Sequence, residues 1–104
     1  MPRLTNMTAS SPPMTTGGHV TLRYWASARA AAGTDSDALE VTGPVSLADL
    51  LGRAKAAHDS VRFRDVLACC SVMVGDRPVT TDDPAAVVVH PGESVEFLPP
   101  FAGG

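Results

Sequence analysis

Gly92-Glu93-Ser94-Val95-Glu96-Phe97-Leu98-Pro99-Pro100-Phe101-Ala102-Gly103-Gly104 closes the chain, and its two halves follow different rules. Residues 94–98 alternate, with Val95 and Phe97 on one side and Glu96 on the other, which predicts a strand with one buried face. Just before it, His90-Pro91-Gly92-Glu93 has Pro and Gly at the two central positions of a type II turn. After it, Pro99 and Pro100 lack backbone N–H groups, so they end any ladder and favour an extended path. Phe101 is a large apolar side chain with no later core element to cover it. Gly103 and Gly104 carry no side chains and can thread a narrow channel in another protein. The α-carboxylate of Gly104 would arrive at its end. From Leu98 the extended backbone reaches roughly 20 Å. A random terminus would read Gly-Gly roughly once in 200 chains, which weighs against an ordinary frayed end. The pattern is a final strand that delivers the chain into a free tail.

Working outward, the remaining elements supply what that strand needs. Residues 19–25 alternate Val20, Leu22 and Tyr24 against Thr21, Arg23 and Trp25, a second half-buried strand. Trp25 has the polar-side parity and is a candidate partner-surface residue. An Ala-rich turn of helix over 27–32 stops at Gly33. Residues 37–41 alternate again and form a hairpin-like pair with the first strand. Residues 45–58 are the main helix, with Ser46 as cap, Asp49 three residues on, and Leu47, Leu50, Leu51 and Ala54 as a buried stripe. Phe63, Val66 and Leu67 mark a shorter helix. Residues 70–74 form a strand, Gly75-Asp76 a turn, and Pro78 places the piece after it at a sheet edge. Residues 80–84 read as loop and Val87-Val88-Val89 as a short apolar run.

The expected architecture is α+β, a mixed sheet with one main helix across it. With its last strand feeding a tail, it suggests the β-grasp, or ubiquitin-like, fold. Residues 1–18, rich in Ser, Thr, Pro, Met and Gly, are expected to be a disordered extension, and Met7 or Met14 could be the true start. Residues 19–98 form the domain and 99–104 an exposed tail.

Bulk properties narrow the function. A chain of 104 residues is one domain. Its 8 Lys+Arg and 11 Asp+Glu give a net charge of −3, and the arginines are scattered, so no nucleic-acid stripe exists. No apolar run has membrane-spanning length and the start lacks signal-peptide order, so a cytoplasmic location with no membrane partner is expected. Adjacent Cys69 and Cys70 do not suit an ordinary disulfide and are expected as reduced, buried thiols. A catalytic or relay thiol would need exposure and a lowered pKa. His19, His58 and His90 lack ligand spacing, so no metal is expected and surface positions are. Arg29 and Arg77 are expected as solvated charges.

Four stretches then carry a resemblance: "LRYWASARAAAGTD" (22–35), "VSLADLL" (45–51), "VMVGDRPV" (72–79) and "GESVEFLPPFAGG" (92–104). Together they resemble the MoaD/ThiS group of ubiquitin-like sulfur carriers, and within it the small-subunit branch of molybdopterin synthase. The opening Tyr24, Trp25, Ala26, Arg29, Ala32 and Gly33 favour that branch. The chain departs from the group's pattern at Ala30, Gly75 and the turn at 90–93.

The resemblance implies a chemistry. A carboxylate is a poor acyl electrophile, and the α-carboxyl is ionised at neutral pH. An adenylating, ubiquitin-activating-like enzyme would spend ATP to convert the Gly104 carboxylate to an acyl-adenylate. A sulfurtransferase or other sulfur donor would then displace AMP and leave a thiocarboxylate. The carrier itself would bind no cofactor and be no enzyme alone. Pro99, Pro100, Phe101, Ala102 and Gly103 would enter the large catalytic subunit of molybdopterin synthase, in a heterotetramer, where the sulfur passes to a pterin precursor. Carriers for thiamine, cysteine or another thio-metabolite, and ubiquitin-like protein modifiers, have similar tails.

Overall fold

In a computed structural model the structure describes residues 18–100. Tail residues Phe101, Ala102, Gly103 and Gly104, and nearly all of the proposed N-terminal extension, lie outside the described residues. Strand β1 (Gly18–Tyr24) buries Val20, Leu22 and Tyr24, as its alternation requires. β2 (Ser36–Val41) pairs with it antiparallel, Val20 opposite Leu39. Between them α1 (Ala26–Ala32) buries Ala28 and ends at Gly33, whose φ of 76° is the left-handed cap conformation that glycine adopts cheaply.

A two-residue strand, β3 (Val45–Ser46), precedes α2 (Leu47–Ala57). The expected helix start at 45 is therefore corrected. Ser46 stays extended so that its hydroxyl can accept from the Asp49 N–H at 3.0 Å, which keeps Val45 outside the helix. Val45 and Ser46 instead pair with β6 (Val88–Val89) in a small second sheet. α3 (Val61–Cys69) is capped in the same way by Ser60, which accepts from Phe63 N–H at 3.0 Å. β4 (Ser71–Val74) turns at Gly75 into β5 (Arg77–Pro78). A short 3₁₀ turn (Pro84–Ala86), capped by Asp83, ends the segment expected as loop.

Strand β7 (Ser94–Leu98) lies at the centre of the main sheet, whose order is β2-β1-β7-β4-β5. It runs parallel to β1, with Leu22 opposite Val95 and Tyr24 opposite Phe97, and antiparallel to β4, with Val74 opposite Val95. The buried strand residues therefore share one face. Against it α2 sets Leu47, Leu50 and Ala54, and α3 sets Phe63 and Leu67, in one core. α1 adds Ala28, so the two shorter helices read from the sequence join the main helix in that core. Phe63 and Phe97 are fully enclosed, and burial of such a side chain stabilises by about 1.5–3 kcal/mol. The turn before β7 forms as its sequence requires: Glu93 N–H donates to His90 carbonyl at 3.0 Å, with Gly92 at φ 92°. This is the β-grasp arrangement.

Two expectations need correction. Cys69 and Cys70 are free, but Cys69 is exposed and Cys70 only half-buried. Phe63 and Leu67 point inward from α3, and Cys69 sits about 200° round the helix from Leu67. His58 is not a surface histidine. Its Nε2 lies 2.5 Å from Asp37 Oδ2, and its ring packs 5.0 Å from Phe63 and 5.7 Å from Tyr24. It follows the last residue of α2, so the helix end carries it back over the core.

Candidate functional site

Of the residues that the sequence marks for the tail and the partner surface, Trp25, Pro99 and Pro100 are described, and they lie where β7 leaves the sheet; Phe101, Ala102, Gly103 and Gly104 lie outside the described residues. Leu98 pairs with Ser71 and is half-buried; Pro99 is half-buried and Pro100 exposed. The prolines end the ladder, as their missing N–H groups require. The chain therefore departs from the middle of the sheet, paired with β1 up to Phe97 and with β4 up to Leu98.

Trp25 stands at the same end. Its backbone N–H donates to the Phe97 carbonyl at 3.2 Å, so it extends the β1–β7 pairing by one bond. Its side chain is 42% exposed, against nearly complete burial of neighbouring Tyr24, as the strand parity predicts. The indole is held in place: Nε1–H donates to Glu96 Oε1 at 2.9 Å, and the Arg23 guanidinium lies 5.3 Å from the ring centroid. Chain direction then reverses sharply into α1 through Ala26 at φ 50°, a left-handed conformation that costs an alanine about 1–2 kcal/mol. An exposed aromatic fixed by a hydrogen bond and a stacked cation needs little further ordering on contact with a partner.

Beside the tail root a groove of about 220 Å³ runs between α1 and α3. Ser27, Asp65, Val66, Cys69, Pro99 and Pro100 line it. These residues come from three separate segments, so sequence reading had no signal for it. On the other side of the root a broader depression of about 590 Å³ includes Val72, Met73, Pro78 and Leu98.

The structure places the other polar candidates elsewhere. Arg29 pairs with Asp35 at 3.3 Å and Arg77 with Glu93 at 2.9 Å, all on the surface or near it. Such exposed pairs contribute about 0–1 kcal/mol. Cys70 Sγ donates to the Val66 carbonyl at 3.3 Å, and burial, with Cys69 beside it, pushes its thiol up to about 11. That is the reverse of an activated nucleophile. Among the described residues no group of three or more His, Cys, Asp or Glu side chains could hold a metal ion, and no helix is long and apolar enough to cross a membrane. The Tyr24–Asp37–His58 cluster went unread in the sequence. Asp37 Oδ2 accepts from the Tyr24 hydroxyl at 2.8 Å as well as meeting His58. Burial, reinforced by Asp37, holds the Tyr24 hydroxyl well above its ordinary pKa. The cluster is part-buried, and Tyr24 joins it to Phe97, its partner on β7.

The described elements make a β-grasp domain whose central last strand ends at two prolines. The ThiS family model matches residues 22–104. The chain belongs to that family, within the MoaD/ThiS group of ubiquitin-like sulfur carriers. The molybdopterin synthase sulfur carrier subunit of Aspergillus niger is 29% identical over 91 residues, covering 88% of this chain and all of that protein. Among solved structures, SAMP1 from Haloferax volcanii matches with a TM-score of 0.68 at 19% identity, covering 84% of this chain and all of that one. Subunits 1 and 2 of the molybdopterin-converting factor from Helicobacter pylori are solved as a complex. It contains a chain matching at a TM-score of 0.58 and 15% identity, with 83% of this chain and 99% of that chain covered.

Proposed function

We propose that Gly104 is the working residue of this carrier, and that its α-carboxylate is adenylated and then converted to a thiocarboxylate. The observation that supports this most is the central strand β7 emptying into the Pro99–Pro100 exit, within a family match that runs through Gly104. In the first step the carboxylate oxygen attacks the α-phosphorus of ATP and pyrophosphate leaves. In the second, sulfide attacks the acyl carbon, the C–S bond forming as the C–O bond to AMP breaks. Where a donor persulfide attacks instead, AMP departs and an acyl disulfide remains; a thiol then attacks the donor-side sulfur, releasing the thiocarboxylate as a new disulfide forms on the donor. Both occur in the active site of a ubiquitin-activating-like enzyme, which the bare diglycine can enter. The sulfur goes to the pterin precursor of the molybdenum cofactor, inside a large catalytic subunit. The small-subunit resemblance and the name of the Aspergillus niger relative support that pathway. The Helicobacter pylori complex supports a two-subunit assembly. Trp25 and the apolar root of the tail form the docking face, with Phe101 as its anchor.

Incubation with ATP, the adenylating enzyme and a sulfur donor, followed by intact mass, tests the reading. Replacement of one oxygen by sulfur, absent when Gly104 is deleted, is the expected result. No shift with an enzyme proven on another carrier overturns it. The likeness to SAMP1, a small archaeal modifier protein, favours a second reading in which Gly104 is joined to lysines of other proteins. Gly-Gly remnants on lysines of trypsin-digested cell protein would separate the two.

A further inference from the structure

Cys69 and Cys70 are the only two thiols of the chain, they are adjacent, and the chemistry proposed at Gly104 uses neither. Their settings differ. Cys69, the last residue of α3, is exposed in the wall of the groove beside Pro99 and Pro100. Cys70 is half-buried on extended backbone, φ −76° and ψ 144°, and its Sγ donates to the Val66 carbonyl at 3.3 Å. Val66 also lines the groove with Cys69, so one residue of α3 borders both thiols. An exposed thiol that meets reagents first, next to a sheltered one held in reserve, is the arrangement of a two-cysteine exchange site. A disulfide between neighbours is strained, because Cα atoms across a trans peptide lie about 3.8 Å apart and disulfides span roughly 4.4–6.8 Å. Strain disfavours a permanent staple and favours a bond that is readily reduced, which a reversible switch requires.

The junction that such a bond would twist controls the exit of the last strand. Cys70 joins α3 to β4 and is tied down by its N–H on the Leu67 carbonyl at 3.2 Å and its Sγ on Val66. The next residue, Ser71, pairs with Leu98, the last residue of β7 before Pro99. Gly75 N–H donates to the Ser94 carbonyl at 2.7 Å, and bonded pairs alternate along an antiparallel ladder, so Ser71 and Leu98 fall at a bonded position too. β1 is in register with β7 only as far as Phe97, which leaves β4 as the hold on Leu98.

We propose that Cys69 and Cys70 form a redox site in which Cys69 takes up a low-molecular-weight disulfide and Cys70 displaces it, closing a disulfide between the two neighbours that loosens Leu98 from β4. In the first step the Cys69 thiolate attacks one sulfur of the reagent; the reagent's S–S bond breaks and one thiolate leaves. In the second, Cys70 gives its proton to solvent and attacks Cys69 Sγ, and the other thiolate leaves. The chain loses two electrons and two protons, and the reagent gains them as two thiols. Burial, with Cys69 beside it, keeps the Cys70 thiol up at about 11, so it is slow toward reagents in solution and reacts with the sulfur placed next to it. Closure takes Cys70 Sγ off Val66 and twists the backbone just before Ser71. The site acts through β4 and β7 alone, so it does not depend on what Gly104 carries.

The full-length protein is incubated with excess oxidised glutathione and followed by intact and peptide mass. The wild type should lose two hydrogens, with both cysteines bridged inside one peptide, the glutathione adduct only transient, and dithiothreitol restoring the starting mass. Cys70→Ser, whose hydroxyl can keep the bond to Val66, should stop at a stable glutathione adduct on Cys69. Cys69→Ser should stay unmodified. A stable adduct on the wild type, a disulfide-linked dimer or no reaction at all overturns the proposal. Hydrogen exchange then reads the consequence: the Leu98 amide should exchange up to about tenfold faster in the bridged form, as for the loss of one hydrogen bond, while Leu22 in β1 keeps its rate. Equal Leu98 rates in the two forms refute the link to the exit, and so does a parallel rise at Leu22, which would mean general loosening of the fold.

Discussion

Tyr24 and Trp25 are neighbours in the chain and opposites in the fold. Tyr24 is buried at the centre of an internal cluster, its hydroxyl on Asp37 and its ring against Phe63, Phe97 and His58. Trp25 is exposed at the tail exit, its indole on Glu96. Each aromatic has one hydrogen bond to a carboxylate. Inside, that bond satisfies the hydroxyl of a buried side chain, and losing it is expensive. Outside, water could replace it, so it orients a surface and adds little to stability. One residue step along the chain separates a side chain that maintains the fold from one that is left open to solvent.

That contrast can be broken at several strengths. Adding one residue after Gly104 should abolish sulfur loading, read by intact mass, while the urea midpoint stays at the wild-type value. Loading by the extended chain would refute the terminal-carboxylate mechanism. Phe63→Ala should do the reverse, costing about 3–5 kcal/mol, a large share of a small domain's stability, while loading of the fraction still folded is unaffected. Chemical denaturation measures the first and mass spectrometry the second. Asp37→Ala leaves the Tyr24 hydroxyl and His58 without their shared acceptor and should cost about 1–3 kcal/mol by the same denaturation assay. A cost as small as that of an exposed pair would mean that the cluster is solvated after all. Trp25→Ala should change stability by under about 1 kcal/mol yet weaken binding of a large subunit about tenfold in calorimetry. Unchanged affinity would remove Trp25 from the docking face.

The smallest effect is one of pH. Tyr24 has an ordinary pKa of 10.0 and is held above it, and Cys70 is raised from 9.0 to about 11. Both groups bind their protons more tightly folded than unfolded. Their contribution is complete below the unfolded values and is lost as pH rises through them. Stability should therefore fall from about pH 9 upward, and more steeply beyond pH 10. Tyr24→Phe should flatten the steeper part, which thermal unfolding across that range would show.

Much of the fold was legible because it rests on local rules. Alternation exposed β1, β2 and β7, the Leu47–Leu50–Ala54 stripe exposed α2, and Pro91-Gly92 exposed the turn that aims β7. The exit at Pro99–Pro100 followed from missing N–H groups alone. What stayed hidden depends on distance in the chain. Asp37 meets Tyr24 and His58 across 13 and 21 residues, and no spacing rule covers such a contact. The β3–β6 pair joins Val45 to Val89, two short segments whose β-branched side chains gave a strand signal too brief to read. The exposure of Cys69 turned on helix phase, which the adjacent strand residues obscured.

Parallel pairing of β1 with β7 has a mechanical consequence. A pull on the tail is directed along β7, so it acts in shear on the bonds to β1 and, on the other side, to β4. Bonds loaded in shear share the force and must fail together, whereas a hairpin pulled from its open end unzips one bond at a time. The last strand is thus anchored along two edges at the middle of the sheet. Force applied beyond Leu98 is therefore met by both ladders together rather than bond by bond.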